Sequence, residues 1–202
     1  MARYSGPKCR LCRRENTKLY LKGTRCETDK CALTRRQTAP GQHGNSGRRS
    51  STTQFGTQLR EKQKLKRLYG LLEKQFGLYV SKAFKLKGVA SENLVQLLES
   101  RLDNVVYRCG FATSRSEARQ FIRRGLFSIN NVPVNIPSQI VKPGDIVRPV
   151  SFEKLHLRES YTIPNWLNAN VSEKYVKIDR LPEGDELKVP VNTQLIVEYY
   201  SR

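Results

Sequence analysis

Four of the five cysteines lie close together near the start of the chain. Cys9, Cys12, Cys26 and Cys31 have the spacing C-x2-C-x13-C-x4-C. Two close pairs of thiols separated by a loop of this length can converge on one tetrahedral ion, and four thiolates leave no open position. Residues 1–50 show no sustained period and are predicted to be loop, so one structural zinc ion would staple a segment without its own core. Two disulfides, four free thiols and an iron–sulfur cluster are the alternatives.

The fifth cysteine, Cys109, stands apart and is predicted to be a small buried apolar residue. A catalytic thiol needs a nearby base, and the chain contains two histidines, His43 and His156, neither of which the sequence places beside it. The sequence has no Gly-rich phosphate loop and no clustered carboxylates. These observations favour a protein that is not an enzyme.

Arginine recurs every fourth residue in a helix predicted for residues 114–124. Arg115, Arg119 and Arg123 therefore share one face. Three cations in register repel one another unless they are neutralised, and Glu117 is the only acid in this helix. Guanidinium groups bind phosphate through a planar fork, so the stripe predicts a contact with a nucleic-acid backbone. A solvated basic face is the alternative.

The net charge of +19 is distributed unevenly. Residues 1–87 hold 22 Lys and Arg against 5 Asp and Glu, whereas residues 88–202 hold 15 against 13. Such an excess predicts a polyanionic partner. The residues predicted to contact RNA are Arg3, Lys8, Arg10, Arg13, Arg14, Lys22, Arg35, Arg36, Arg48, Arg49, Arg60, Lys62, Lys64, Arg67, Arg115, Arg119, Arg123 and Arg124.

An anionic membrane is the rival partner for this basic segment. It would favour a basic helix with a bulky apolar face, but the first fifty residues are rich in Gly, Thr and Cys. No apolar run approaches the roughly 20 residues that a membrane span needs. The N-terminus lacks the apolar stretch of a secretory signal, so the expected location is the cytoplasm.

Three stretches have helical patterns. Residues 57–86 carry apolar residues at intervals of three to four, and two glycines interrupt the run, so two shorter helices are predicted. A single helix is predicted over residues 91–110. In the helix predicted for residues 114–124, Ser114 and Glu117 form a capping box, in which each side chain bonds a free backbone amide.

The remaining stretches favour strands. An alternating pattern over residues 127–134 predicts a hairpin on an Asn-Asn turn. A strand–turn–strand is predicted over residues 140–147, and a short strand over residues 175–178. Residues 195–200 have β propensity, yet Asn192 ahead of them is a good helix cap, so the residues alone leave this segment ambiguous.

Several runs, in order along almost the whole chain, resemble the family of bacterial small-subunit ribosomal protein S4. These runs are residues 1–4, 40–44, 59–64, 73–76, 101–107, 110–112, 114–120, 143–145 and 195–202, together with Gly125. The four N-terminal cysteines match the ligand positions of the zinc-carrying version of the family. Asn131 departs from the pattern, because the family usually has Gly in the hairpin turn.

The resemblance implies an α+β fold in three parts. A zinc-stapled N-terminal extension covers residues 1–44. A helical domain covers residues 45–96 and is completed by residues 181–202, which argues for a helix near residues 193–200. A small α/β S4 RNA-binding domain with antiparallel strands, residues 97–180, is inserted between them.

The resemblance also implies a function. Members of the family are structural constituents of the small (30S) ribosomal subunit in the cytoplasm. They bind 16S rRNA at a multi-helix junction early in assembly and contribute to translational accuracy. The implied neighbours are ribosomal protein S5, other small-subunit proteins and mRNA near the point where it enters, with no membrane and no small-molecule substrate.

Two other functions compete with this interpretation. RNA-modifying enzymes and tyrosyl-tRNA synthetases can carry the same small domain, but they need a separate catalytic domain, and the three parts leave no room for one. A zinc-dependent DNA-binding regulator would need a recognition helix and usually a dimer seam. Neither is evident in the sequence.

Overall fold

A computed structural model describes residues 3–45, 53–151, 153, 155, 158, 161–170 and 174–201. It forms two compact units, one of residues 1–94 with 189–202 and the other of residues 95–188. Within the described residues, no helix has both the length and the apolar character needed to cross a membrane.

The helices are α1 (Lys8–Glu15), α2 (Ala32–Arg35), α3 (Gln54–Leu68), α4 (Glu73–Lys85), α5 (Ala90–Glu99), α6 (Leu102–Arg108), α7 (Arg115–Arg123) and α8 (Thr193–Tyr200). The strands are β1 (Phe127–Ile129), β2 (Val132–Val134), β3 (Ile146–Pro149), β4 (Leu167–Asn170) and β5 (Tyr175–Ile178). Short 3-10 helices cover Gly23–Cys26, Gln42–Asn45 and Gly184–Leu187.

The loop predicted over residues 1–50 is wrong for the described part of that segment, which contains α1 and α2. Helix α1 ends at Glu15 and is capped by Asn16, whose φ of 50° lies in the left-handed region that asparagine tolerates. Leu19 and Leu33 are buried, so the segment has a small apolar core. Helices of 8 and 4 residues are too short for a 3.6-residue period to show in the sequence.

The two helices predicted over residues 57–86 are confirmed as α3 and α4. Gly70, with a φ of 61°, lies in the break between them. Gly77 lies inside α4 and does not interrupt it. Helix α3 begins after Thr53, whose hydroxyl oxygen accepts a hydrogen bond from the Gly56 N–H at 3.1 Å.

The C-terminal segment is a helix, α8, which packs on α3. The Asn192 side chain caps it by accepting hydrogen bonds from the N–H groups of Gln194 and Leu195. Ile196 is fully buried, and Tyr200 packs against Phe76 with ring centroids 6.2 Å apart. The cap therefore prevails over the β propensity of these residues, because a buried helix face supports it.

The single helix predicted over residues 91–110 is wrong, because the helix is interrupted at Arg101, which lies between α5 and α6. The Leu102 N–H donates a hydrogen bond to the Gln139 carbonyl at 2.8 Å. Arg101 also forms an antiparallel bridge with Ile140. The first strand predicted within residues 140–147 therefore pairs with this break and not with β3.

The second unit has a five-stranded antiparallel sheet in the order β2-β1-β3-β5-β4. The predicted hairpin is confirmed, and its turn residues Asn130 and Asn131 have φ values of 50° and 68°, as a type I′ turn requires. Side chains from α6, α7 and the sheet share one apolar core around Trp166. The combination of helices with an antiparallel sheet confirms the α+β class.

Candidate nucleic-acid interface

Helix α7 begins at the predicted capping box. The Ser114 hydroxyl oxygen accepts a hydrogen bond from the Glu117 N–H at 3.3 Å. The Glu117 carboxylate in turn accepts the N–H of Thr113 at 2.8 Å, one residue before the N-cap amide that a standard capping box uses. This cap fixes the start of α7 and hence the face on which its arginines lie.

Neighbouring α6 holds the first two arginines of the stripe. The Arg119 Nε donates to the Asp103 Oδ2 at 2.7 Å, and the Arg115 Nε donates to the Asn104 Oδ1 at 2.8 Å. The Arg115 guanidinium also lies 4.6 Å from the centroid of the Tyr107 ring. Side chains of α6 within the same protein therefore reduce the mutual repulsion that is expected between the arginines of the stripe.

The acceptors on α6 belong to a buried polar network. Asp103 also accepts hydrogen bonds from Arg101, through Nε at 3.0 Å and Nη2 at 2.8 Å, and the Arg101 side chain is fully buried. Asp103 thus serves two cations with one charge. Of these two cations, Arg119 is the more accessible, since its side chain is 13% exposed and that of Arg101 is fully buried.

Arg123, the last arginine of the stripe, and the adjacent Arg124 differ from Arg115 and Arg119. Arg123 and Arg124 are both exposed, at the end of α7. Ala118, Phe121 and Ile122 are buried in the core, so the division of α7 into an apolar and a basic side is as predicted.

The predicted cations of α3 are mostly paired within the chain. Arg60 and Arg67 both contact the Glu15 carboxylate of α1, at 3.1 Å in the case of Arg60. Lys64 pairs with Glu61 three residues earlier in the same helix. These contacts tie α1 to α3 and neutralise part of the basic face.

Lys62 lies in an aromatic and acidic environment. Its side chain is 7% exposed and pairs with Glu73. Its ammonium lies 4.5 Å from the centroid of Tyr199 and 5.1 Å from that of Tyr200, on α8. Lys62 therefore holds α3, α4 and α8 together and offers little surface to a partner.

Two carboxylates in the first unit, those of Glu15 and Glu73, have opposite pKa shifts. Burial raises the pKa of Glu15 above its ordinary value, although Arg60 and Arg67 oppose this. Burial alone would also raise the pKa of Glu73, but hydrogen bonds from Lys62 and Lys66 outweigh it and lower this pKa to about 2. The difference arises because the Glu15 side chain has no exposure to solvent, whereas that of Glu73 is half exposed.

The N-terminal extension carries the most accessible cations of the predicted set. The exposed ones are Arg3, Arg10, Arg14, Lys22, Arg35 and Arg36. Lys8 and Arg13 are half-buried, and the Arg13 Nε donates to the Thr38 carbonyl at 2.9 Å. Arg48 and Arg49 lie outside the described residues.

The four N-terminal cysteines are reduced and near one another. Cys12, Cys26 and Cys31 are buried, and Cys9 is half-buried. The Cys26 sulfur accepts the Lys22 N–H at 3.4 Å. Within the part of the chain that the structure describes, no three His, Cys, Asp or Glu side chains are already arranged around a metal position.

The electrostatics of these thiols reflect burial and their neighbours. Burial raises the pKa of Cys12 and of Cys26, and the nearby thiols raise both further. Burial alone would raise the pKa of Cys31 too, but hydrogen bonds from the backbone of Thr34 and Leu33 outweigh it, so this pKa is lowered. Backbone donors that point at sulfur stabilise thiolates, the form that binds metal.

Cys109 is confirmed as a buried apolar residue, with 1% exposure. Burial raises the pKa of its thiol far above the ordinary value, so it stays protonated. A buried thiol that is kept protonated is a poor nucleophile.

Sequence reasoning missed the supporting role of α6. Asp103, Asn104 and Tyr107 belong to one of the runs that resemble the S4 family, yet no function was predicted for them. The available signal was that two polar residues, Asp103 and Asn104, sit directly beside the apolar stripe of a predicted helix. Such residues are buried only when a partner satisfies them.

Comparison with known proteins identifies the family. Residues 3–99 match the model of the ribosomal protein S4/S9 N-terminal domain, and residues 100–147 match that of the S4 domain. The chain is 53% identical to the small ribosomal subunit protein uS4 of Thermodesulfovibrio yellowstonii and to that of Natranaerobius thermophilus, over the full length of both chains in each case. The identity to the corresponding protein of Halothermothrix orenii is 51%, again over both full lengths. The chain therefore belongs to the ribosomal protein S4 family.

Proposed function

We propose that this protein is a structural, non-enzymatic constituent of the small ribosomal subunit that binds 16S rRNA. The observation that carries the proposal is the identity of about half of all residues, over complete chains, to proteins named for that subunit. Such a role places it in the cytoplasm, within the 30S particle. By family resemblance, its neighbours include protein S5 and mRNA near the point where it enters, and it contributes to translational accuracy.

The charge distribution supports RNA as the ligand. The N-terminal extension presents six exposed cations of the predicted set from several short elements, and α7 presents its arginines from a capped helix. Cations spread over a folded surface suit an RNA that is recognised by shape and by its phosphates. We assign phosphate binding to these two surfaces. The cations of α3, which are already paired with Glu15, Glu61 and Glu73, play a smaller part.

Sedimentation tests the proposed function. The full chain, tagged and expressed at low level in bacterial cells, is expected to move with small subunits through a sucrose gradient. A sample treated with ribonuclease before centrifugation is the control, and the protein should then leave the 30S position. A pool that stays at the top of the gradient without RNA in the untreated sample would contradict the proposal.

We also propose that Cys9, Cys12, Cys26 and Cys31 bind one structural zinc ion. The support is the number and type of donors, the burial of three thiols, and the backbone donors directed at their sulfur atoms. A closed set of four thiolates would supply structure and no chemistry. Binding would draw the four thiols, which already influence one another electrostatically, into one ligand shell.

Metal analysis of purified variants tests the zinc proposal. The full chain should contain one zinc ion, and Cys12→Ser should lose it and loosen the extension while the rest of the first unit and the second unit stay folded. Cys109→Ala is the matched control, because it also removes a cysteine but leaves the proposed ligands intact, and it should keep the zinc. Unchanged zinc in Cys12→Ser would refute this set of ligands, and iron with visible absorbance would indicate a cluster instead.

A further inference from the structure

One hydrogen-bonded chain runs from the buried interior of the second unit to the basic side of α7. Arg108 contacts both carboxylate oxygens of Glu99, at 3.0 and 2.8 Å. The same carboxylate accepts a hydrogen bond from the Asn104 Nδ2 at 2.7 Å. The Asn104 Oδ1 then accepts the Arg115 Nε at 2.8 Å. We propose that Asn104 is a positioning residue, which fixes the Arg115 guanidinium for binding an RNA phosphate.

The chemistry of its partners dictates the orientation of Asn104. Both hydrogens of its Nδ2 are used, one by the Glu99 carboxylate and the other by the Glu99 backbone carbonyl at 3.0 Å. These groups can only accept hydrogen bonds, whereas a guanidinium can only donate. The amide oxygen must therefore point at Arg115. Asn104 is fully buried, so water does not compete for this oxygen, and it can hold only this orientation.

Arg115 is fixed in a second direction by Tyr107. The guanidinium lies 4.6 Å from the centroid of that ring, and the Nε bond to Asn104 restricts rotation about the side-chain axis. Together the two contacts define the plane of the guanidinium. The plane matters for function because arginine binds phosphate through parallel N–H groups in a fixed fork.

The different exposure of Asn104 and Arg115 indicates that Asn104 positions Arg115 and does not only stabilise the fold. Asn104 lies in the core, but Arg115 is only half-buried and on the basic side of α7. A long side chain that is already ordered loses less freedom when it binds a ligand than one that moves freely. The inference rests on the proposed function, since it requires the basic side of α7 to contact RNA.

A double-mutant cycle on RNA affinity separates positioning from general stability. Full-length wild type, Asn104→Ala, Arg115→Ala and the double variant are titrated with a 16S rRNA transcript at several salt concentrations, after the folded fraction of each has been measured. Arg115→Ala is expected to weaken binding roughly threefold to tenfold and to reduce the salt slope by about one. Asn104→Ala is expected to weaken binding about threefold when Arg115 is present, and to add nothing when Arg115 is absent.

Val105→Ala is the matched control for loosening of α6. Val105 is fully buried in the same helix, next in sequence to Asn104. Its truncation should lower stability without changing the affinity of the folded protein for RNA. Arg115→Lys is the second test, which does not depend on a stable Asn104 variant. It keeps the charge but lacks the fork, so its affinity should lie close to that of Arg115→Ala.

The outcomes distinguish the inference from the proposed function. If Arg115→Ala leaves affinity and salt slope unchanged, α7 is not an RNA surface through this residue, and the positioning role falls with it. If Arg115→Ala weakens binding but Asn104→Ala does not, the proposed function stands and the positioning role is refuted. Equal losses from Asn104→Ala with and without Arg115, or full affinity in Arg115→Lys, also overturn it.

Discussion

The buried carboxylate of Asp103 should contribute strongly to the stability of the second unit. Arg101 is fully buried and directs both Nε and Nη2 at Asp103. Asp103→Asn keeps one acceptor oxygen but removes the negative charge that Asp103 places beside the buried Arg101 cation. Removal of one partner from a buried ion pair costs about 3–5 kcal/mol. Because asparagine still accepts one hydrogen bond, we expect a loss of about 3 kcal/mol, against a typical total stability of about 5–15 kcal/mol.

Urea unfolding followed by tryptophan fluorescence measures this loss. Trp166 is the single tryptophan of the chain and lies in the core of the second unit, so it reports on that unit. With a slope of about 1.5 kcal/mol per molar urea, a loss of about 3 kcal/mol lowers the midpoint by about 2 M. Asp179→Asn is the matched control. Asp179 pairs with Lys177 at 3.8 Å on the surface, and such exposed pairs contribute about 0–1 kcal/mol.

A second substitution tests the cause of the loss. Arg101→Met in the Asp103→Asn background removes the buried cation and should recover part of the lost stability, since an apolar side chain needs no counter-charge. Two results would refute the reasoning. One is an Asp103→Asn midpoint no lower than that of Asp179→Asn, and the other is a double variant less stable than Asp103→Asn alone.

Three further predictions concern the loss of stability at low pH, the hairpin turn and the end of α7. The pKa of Glu73 is lowered to about 2 from 4.5, so its stabilising effect is complete above pH 4.5 and is lost as the pH falls towards 2. The difference in the free energy of unfolding between wild type and Glu73→Gln, measured by urea titration, should shrink over that range, from at most about 1 kcal/mol because Glu73 is half exposed, and a constant difference would contradict this. Asn131→Gly should stabilise the turn by up to about 0.5 kcal/mol. Asn130→Gly should cost about 1–2 kcal/mol, because its side chain bonds Asp145 and the Ile146 N–H, and equal thermal shifts for the two variants would refute this contrast. Arg123→Gln combined with Arg124→Gln should reduce the salt slope of RNA binding by about one to two without lowering the unfolding midpoint, and an unchanged slope would remove these residues from the interface.

Local chemistry determined the elements that the sequence predicted correctly. The hairpin follows from two asparagines that accept a positive φ, and the start of α7 follows from a serine and a glutamate three residues apart. The break at Arg101 was not predictable in this way. The apolar stripe continues through it, and the helix is interrupted because the backbone there bonds the segment near Gln139, almost forty residues further along. Periodicity within a window contains no information about such a partner.

Contacts between residues far apart in sequence also limited the prediction of which cations are accessible. Counting residues predicted a polyanionic partner for residues 1–87 but could not locate the surface, because ion pairs join residues far apart in sequence. Glu15 pairs with both Arg60 and Arg67 over separations of 45 and 52 residues, and Lys62 is held beside the aromatic rings of α8. Each pairing removes a cation from the set available to RNA. Within the predicted set, the most accessible cations of residues 1–87 therefore lie in the N-terminal extension. On α7, the arrangement of Arg115 and Arg119 fixed by α6, and not the number of arginines, determines what they can bind.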